Sequence, residues 1–129
     1  MKLRKNYTCL LEIIHDIIRG KWKTIIIFQL RNGENSFSQL LHSINGISEK
    51  MLLEQLQELK EFGLIDKHSY KKYPLKVEYF LTERGKKVLN AVKIMQNVGI
   101  EYMIDNGMEK ILNEKGIKYS KNTCIQKSK

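Results

Sequence analysis

Between Lys67 and Val77 the chain carries Lys67, His68, Lys71, Lys72 and Lys76 without one acidic side chain. Contiguous cations of this kind neutralise phosphate groups and release their counterions. A second set lies upstream: Ser48, Glu49, Lys50, Leu53, Glu54 and Gln57 share the face of a helix opposite its apolar stripe. Their hydroxyl, carboxylate, ammonium and amide groups are of the types that hydrogen-bond to base edges. Cys9 is the third candidate, a thiol near the start of the first helix. Catalytic and metal chemistry find little support. His15, His42 and His68 fall singly on separate elements, none with a second ligand at metal spacing. No Ser/His/Asp grouping, phosphate-cradling glycine loop or paired-carboxylate signature occurs. A Cys9 nucleophile meeting His15 in space is the one formal route to an enzyme, and no catalytic residue is expected.

The elements that must position these groups follow from periodicity and capping. Thr8 reads as the N-cap of a first helix running to Arg19, with Leu10, Ile13, Ile14, Ile17 and Ile18 on one face. Gly20 breaks it, and Lys21 to Arg31 predicts a second helix, apolar nearly all round and therefore central. Asn32-Gly33-Glu34-Asn35 reads as a turn. Ser36 with Gln39 makes a capping box for a short helix carrying Leu40, Leu41 and Ile44. After the tight turn at Asn45-Gly46, Ser48 caps a helix whose Leu52, Leu56 and Leu59 recur at helical spacing until Gly63 stops it. Two strands then flank the basic run; in the second, Val77, Tyr79 and Leu81 alternate with Glu78 and Phe80. Thr82 caps a long helix through about Asp105, with Val88, Val92, Met95, Val98, Tyr102 and Met103 as its apolar positions. That stripe exceeds the needs of one small domain and calls for a partner helix. A short helix at Met108 to Leu112 and a Lys/Ser/Asn/Gln-rich, disordered end complete the chain.

A helix-turn-helix followed by a cationic β-hairpin is the layout of a winged helix-turn-helix. The sequence resembles the HxlR family of winged-helix transcription regulators in several blocks that occur in order. Lys21-Trp22 follows Gly20 as in that family's G-K-W. Phe37-Ser38-Gln39-Leu40 is similar to R-F-[ST]-E-L without the arginine. The run from Gly46 to Leu52 matches G-I-S-x-K-x-L, and Gly63-Leu64-Ile65 matches G-L-[IV]. Most specific is the run from Tyr73 to Gly85, which resembles P-x-[KR]-V-E-Y-x-L-T-x-x-G. The likeness covers about residues 9 to 103.

The resemblance implies that the helix from Ser48 enters the major groove of double-stranded DNA and that the first and last helices build a homodimer. Its early positions would then reach base edges. Leu53 stands where relatives commonly carry a small polar residue; it either meets a thymine methyl group or packs. Glu54 repels phosphate, so it either accepts from cytosine or stays back. Lys71, Lys72 and Lys76 of the wing would hold the DNA backbone, with Lys21 and Lys23 adding contacts or remaining ordinary surface residues. Cys9 matches a cysteine that recurs in the family, although Leu10 replaces the proline that often follows it. In the first turn after Thr8, with Arg4 and Lys5 upstream, its thiolate would be stabilised and reactive toward oxidants or electrophiles. The other reading is an apolar cysteine packed at the dimer interface. Cys124 is a possible second thiol.

The whole chain sets outer limits. Its 129 residues suit one domain, expected as a winged-helix DNA-binding and dimerisation domain over 1–105 and a partly disordered tail over 106–129. A formal charge of +9 and a pI near 9.5 favour a polyanionic partner. The richness in Lys, Ile and Asn also fits an AT-rich genome, so clustering matters more than the total. No stretch is long and apolar enough to span a bilayer. Two cysteines at opposite ends make neither a disulfide framework nor a CxxC site, which favours a reduced cytoplasm. The expected fold is α+β: a mostly helical winged helix-turn-helix with a two-stranded hairpin wing, dimerising through terminal helices. The expected function is sequence-specific transcriptional regulation at an inverted repeat. No cofactor, metal or membrane is expected, and a small-molecule or oxidant effector through Cys9 is possible. The alternative is a winged-helix module that binds protein partners, or nucleic acid without sequence preference.

Overall fold

A computed structural model describes residue 3 and residues 6–70 and 76–116. The elements run α1 (Leu11–Ile17), α2 (Lys23–Gln29), β1 (Asn35–Ser36), α3 (Phe37–Ser43), α4 (Glu49–Glu61), β2 (Ile65–Tyr70), β3 (Lys76–Leu81), α5 (Glu83–Asp105) and α6 (Glu109–Glu114). They form two compact units, one through Leu89 and one from Asn90.

In the first unit, α2 supplies the centre of the core through Ile26 and Ile27, as its all-round apolar pattern predicts. Leu40 of α3 and Leu52, Leu56 and Leu59 of α4 bury against the same core. Local hydrogen bonds fix the helix ends. Gln39 N donates to Ser36 Oγ at 3.1 Å while Ser36 N donates to Gln39 Oε1 at 2.8 Å, closing the expected capping box. Met51 N donates to Ser48 Oγ at 3.1 Å. At the other end of α4, Gly63 takes φ +77°, Gly63 N donates to Lys60 O, and Leu64 N donates to Leu59 O. This Schellman closure returns Leu64 to the core beside Leu59.

The sheet is antiparallel in the order β1-β3-β2, with Ile65 opposite Leu81 and Tyr70 opposite Lys76. The sequence predicts two strands, and β1 is the addition. Asn35 and Ser36 leave the expected turn to pair with Tyr79 and Glu78. Two residues before a helix cap are too short a run to show strand periodicity. Thr82 ties the hairpin to α5. Its hydroxyl donates to Gly63 O at 2.6 Å and accepts from Gly85 N at 3.1 Å, and Thr82 N donates to Leu64 O. This packing brings the first turn of α5 against the backbone after α4: a β-carbon on Gly85 would lie 2.0 Å from Leu64 O.

Lys23 is buried, with 2% of its surface exposed, and its Nζ stands 2.6 Å from Glu58 Oε1 of α4. This corrects the expectation of a backbone-contacting surface lysine. A cation taken out of water needs a carboxylate, and the pairing joins the central helix to α4. Hydrogen bonding to Lys23 holds the Glu58 carboxyl below the ordinary carboxylate value. The helix bounds at the N-terminal side are also tighter than expected: α1 begins at Leu11 and α2 at Lys23, two or three residues inside the predicted spans.

In the second unit, α5 continues to Asp105 as predicted, Gly107 turns the chain at φ +72°, and α6 follows. Ile100 and Leu112 bury against each other with Met103 and Ile104. Ile94, Met95, Val98 and Tyr102 lie exposed within one arc of the helix. The expected end of the tail, with Cys124, lies outside the described residues.

Gly85→Ala should lower stability by about 1–3 kcal/mol, because backbone must move to admit the methyl group. Gly99→Ala, which meets nothing within 4 Å, should be neutral or stabilising. Denaturant titration of both variants checks this, and an unperturbed Gly85→Ala would contradict the close approach. Glu58→Gln should cost about 3 kcal/mol at neutral pH by leaving a buried ammonium without its counter-charge. A depressed carboxyl contributes stability above its ordinary value of 4.5 and loses it as pH falls through the lowered one. The gap between wild type and Glu58→Gln should therefore close on acidification. Equal unfolding midpoints at pH 7 would show that water, not Glu58, sustains the Lys23 charge.

Candidate nucleic-acid interface

Burial of Leu52, Leu56 and Leu59 turns the rest of α4 outward. Ser48, Glu49, Lys50, Leu53, Glu54 and Gln57 are all exposed, as the sequence predicts. Their roles differ. Ser48 spends its hydroxyl on the cap, and Glu49 sits in the first turn, where a carboxylate stabilises the positive helix end. Leu53 is 54% exposed and forms one wall of a groove between α4 and the hairpin. Gln57, Lys60 and Glu61 continue that wall, Leu56 lies at its base, and Lys67 and Tyr79 face it from β2 and β3.

Lys60 was not singled out in the sequence as a site residue, and Lys67 was named there only as the start of the basic run. Neither has an ion-pair partner among the described residues. The detectable signal was periodicity: Lys60 follows Leu53 and Gln57 around the helix, and Lys67 alternates with His68 on β2. Lys21, also exposed, places its Nζ 4.5 Å from the centre of the Trp22 ring, a cation–π contact that leaves the ammonium at the surface.

The hairpin is less uniformly cationic than its sequence. Two carboxylates reach the face carrying His68, Tyr70, Lys76 and Phe80. Glu78 pairs with Lys76 at 3.2 Å. Glu34, from the turn before β1, accepts from the Tyr70 hydroxyl at 2.6 Å and lies 3.1 Å from His68 Nε2. His68 stacks on Phe80 with ring centres 4.3 Å apart. The Tyr70 hydroxyl is the largest cause holding the Glu34 carboxyl below the ordinary carboxylate range, and that carboxylate in turn raises Tyr70. Lys76 is thus already paired. Lys71 and Lys72 lie outside the described residues.

Cys9 is exposed and precedes α1 instead of sitting in its first turn. Glu12 folds back over the chain: Thr8 N, Thr8 Oγ1 and Cys9 N donate to its Oε1 at 2.6, 3.1 and 3.2 Å. Thr8 therefore does not cap the helix, and the Cys9 backbone N–H is taken by a carboxylate. Among the described residues, no three His, Cys, Asp or Glu side chains form a group that could hold a metal ion. No helix among them is long and apolar enough to cross a membrane.

The chain is similar to proteins that share this architecture. It is 40% identical over 84 residues to an uncharacterized HTH-type transcriptional regulator of Methanothermobacter thermautotrophicus, covering 65% of this chain and 64% of that one. Among solved structures, a putative transcriptional regulator of the MarR family from Porphyromonas gingivalis W83 superposes with a TM-score of 0.70 at 37% identity. That match covers 78% of this chain and 98% of the other. The oxidised form of the redox regulator HypR gives a TM-score of 0.67 at 35% identity, over 70% of this chain and 94% of its own. The model of the HxlR-like helix-turn-helix matches residues 17–106. With the capped α3–α4 pair, the hairpin after it and this match across most of its length, the chain belongs to the HxlR-like helix-turn-helix family of transcriptional regulators.

Proposed function

We propose that the protein regulates transcription as a homodimer that reads an inverted repeat in double-stranded DNA. The observation that carries this reading is the exposed face of α4, held at its start by Ser48 and bordered by a groove whose Lys60 and Lys67 have no ion-pair partner among the described residues. Two such helices would enter successive major grooves about 34 Å apart. Lys50 and Gln57 are the donors suited to base edges, and Leu53 offers an apolar edge to a thymine methyl group. Glu54 accepts from cytosine or stays clear of the backbone. Lys60 and Lys67, with Lys21 and the wing residues Lys71 and Lys72, would supply phosphate contacts. Lys76 contributes less, since it must leave Glu78 first.

Dimerisation is supported by the apolar surface that each unit exposes. Leu10, Leu11 and Ile13 are exposed at α1, and Ile94, Met95, Val98 and Tyr102 along α5. A second copy would cover such stripes. Cys9 would couple the dimer to oxidants or electrophiles: a mixed disulfide or adduct beside α1 changes subunit packing and with it the separation of the α4 helices. The likeness to a redox regulator supports this role. A protein of this kind works in the cytoplasm on the cell's own DNA and needs no cofactor.

Selection from a random duplex pool should enrich an inverted repeat with half-site centres about 10 base pairs apart. Weak discrimination abolished by modest salt would instead indicate non-specific binding. On the selected site, Gln57→Ala should cost about 1–3 kcal/mol of discrimination. Lys60→Ala with Lys67→Ala should weaken all sequences alike and flatten the plot of log affinity against log salt by about 0.9 per contact. An unchanged slope would remove the groove from the backbone contacts.

For Cys9, diamide or a quinone should alter operator binding by wild type at doses that leave Cys9→Ser unaffected. An identical response in both would leave Cys9 as a packing residue.

A further inference from the structure

We propose that Lys23 and Glu58 are a positioning pair for α4, one that sharpens its discrimination between operator and random duplex while adding little to general affinity. This rests on the DNA-binding reading above. Lys23 is the first residue of α2 and shares the buried face of that helix with Ile26 and Ile27, three and four positions on. Its side chain is only 3% exposed, and its Nζ crosses to α4, 2.6 Å from Glu58 Oε1. Taking an ammonium out of water is unfavourable, so a pair of this kind commonly stabilises a fold no more than two apolar side chains of the same bulk. Direction is what sets it apart. A hydrogen bond between charged groups weakens steeply when misaligned, whereas burial of hydrocarbon is indifferent to angle.

Direction matters most at α4. Leu52, Leu56 and Leu59 decide which face of the helix is buried, but apolar packing alone leaves small turns about the helix axis open. Contacts to base edges are less tolerant: productive geometry is lost with shifts of about 0.5 Å or turns of about 10–20°. By helical spacing, Glu58 lies on the flank of α4 between the leucine stripe and the outward residues, and Leu53 and Lys60 lie on the opposite flank, in the groove wall. The end of the helix is tethered separately. Arg84 Nη1 donates to Phe62 O at 3.2 Å, and Thr82 Oγ1 donates to Gly63 O at 2.6 Å. Lys23 adds a tether from α2 alongside Glu54 and Gln57, within the stretch that carries the outward side chains. The helix is thereby held against rotation as well as against the core, and Lys50, Glu54 and Gln57 are presented in one orientation.

Replacing both partners separates positioning from stability. Lys23→Met with Glu58→Met keeps apolar bulk and leaves the net charge unchanged, so the attraction to any duplex is preserved. The unfolding midpoint should stay near that of wild type or rise. Affinity for random duplex, and its salt dependence, should hold, while affinity for the selected operator should fall by about 5–30-fold, the loss of roughly one base contact. In that background Gln57→Ala should cost far less discrimination than in wild type, because its amide is no longer held at the base; independent residues would add. Glu58→Asp, which keeps the charge but withdraws it by one methylene, should also narrow the operator-to-random ratio, and it decides the question should the double variant fail to fold. A wild-type ratio in the folded double variant, or in Glu58→Asp where that is the one that folds, overturns the inference. So does a parallel loss on both duplexes, which is what a merely structural pair would give. Wild type with no preferred site would overturn the DNA-binding reading itself, a result visible before any variant is made.

Discussion

Burial of Leu52, Leu56 and Leu59 determines how α4 is rotated, and the candidate interface depends on that rotation. Each leucine removed from water contributes about 1.5–3 kcal/mol, far more than any contact on the exposed side of the helix. With those three residues fixed in the core, Lys50, Leu53, Glu54 and Gln57 must face away from it. The same rotation directs Glu58 to Lys23 and delivers the helix end at Gly63, where Leu64 turns back into the core. Thr82 and Gly85 then lock the start of α5 onto that corner. A polar residue in the leucine stripe would therefore disturb the wing and α5 as well as α4.

The positive charge of the chain is informative only once its partners are known. Lys23 spends its charge inside the protein, Lys76 spends part of its charge on Glu78, and Lys21 lies over an indole. Lys60 and Lys67 keep theirs in a groove beside the exposed helix face. The total of +9 thus overstates what the lysines can offer a polyanion, since several are already engaged within the protein. Carboxylates belong to this surface as well: Glu34 accepts from the Tyr70 hydroxyl of β2, and Glu49 sits in the first turn of α4.

Features governed by neighbours along the chain were legible in the sequence. The Ser36–Gln39 box, the Ser48 cap, the Gly63 stop and the Thr82 start each follow from hydrogen bonds reaching three to five residues. So does the central placement of α2, which its apolar periodicity dictates. What escaped were pairings across long separations. Lys23 finds Glu58 35 residues away, and Glu34 finds Tyr70 36 residues away. No local rule connects either pair. Strand β1 is defined wholly by its partner. At Cys9 the obstacle was local competition, because Glu12 takes the N–H groups that a cap at Thr8 would have left to the helix end. The family resemblance identified the layout and the exposed helix face, whereas the fate of each charge required coordinates.

Hydroxyl-radical footprinting of the wild-type chain on its selected operator tests the central claim most directly, because it maps contacts base by base without assuming which residues make them. The account predicts two related windows of protection on one side of the duplex, centred about one helical turn apart, with further protection where the wings meet the flanking backbone. Uniform protection along the duplex, or a single unrepeated window, would contradict the reading of two α4 helices held at fixed separation by a dimer.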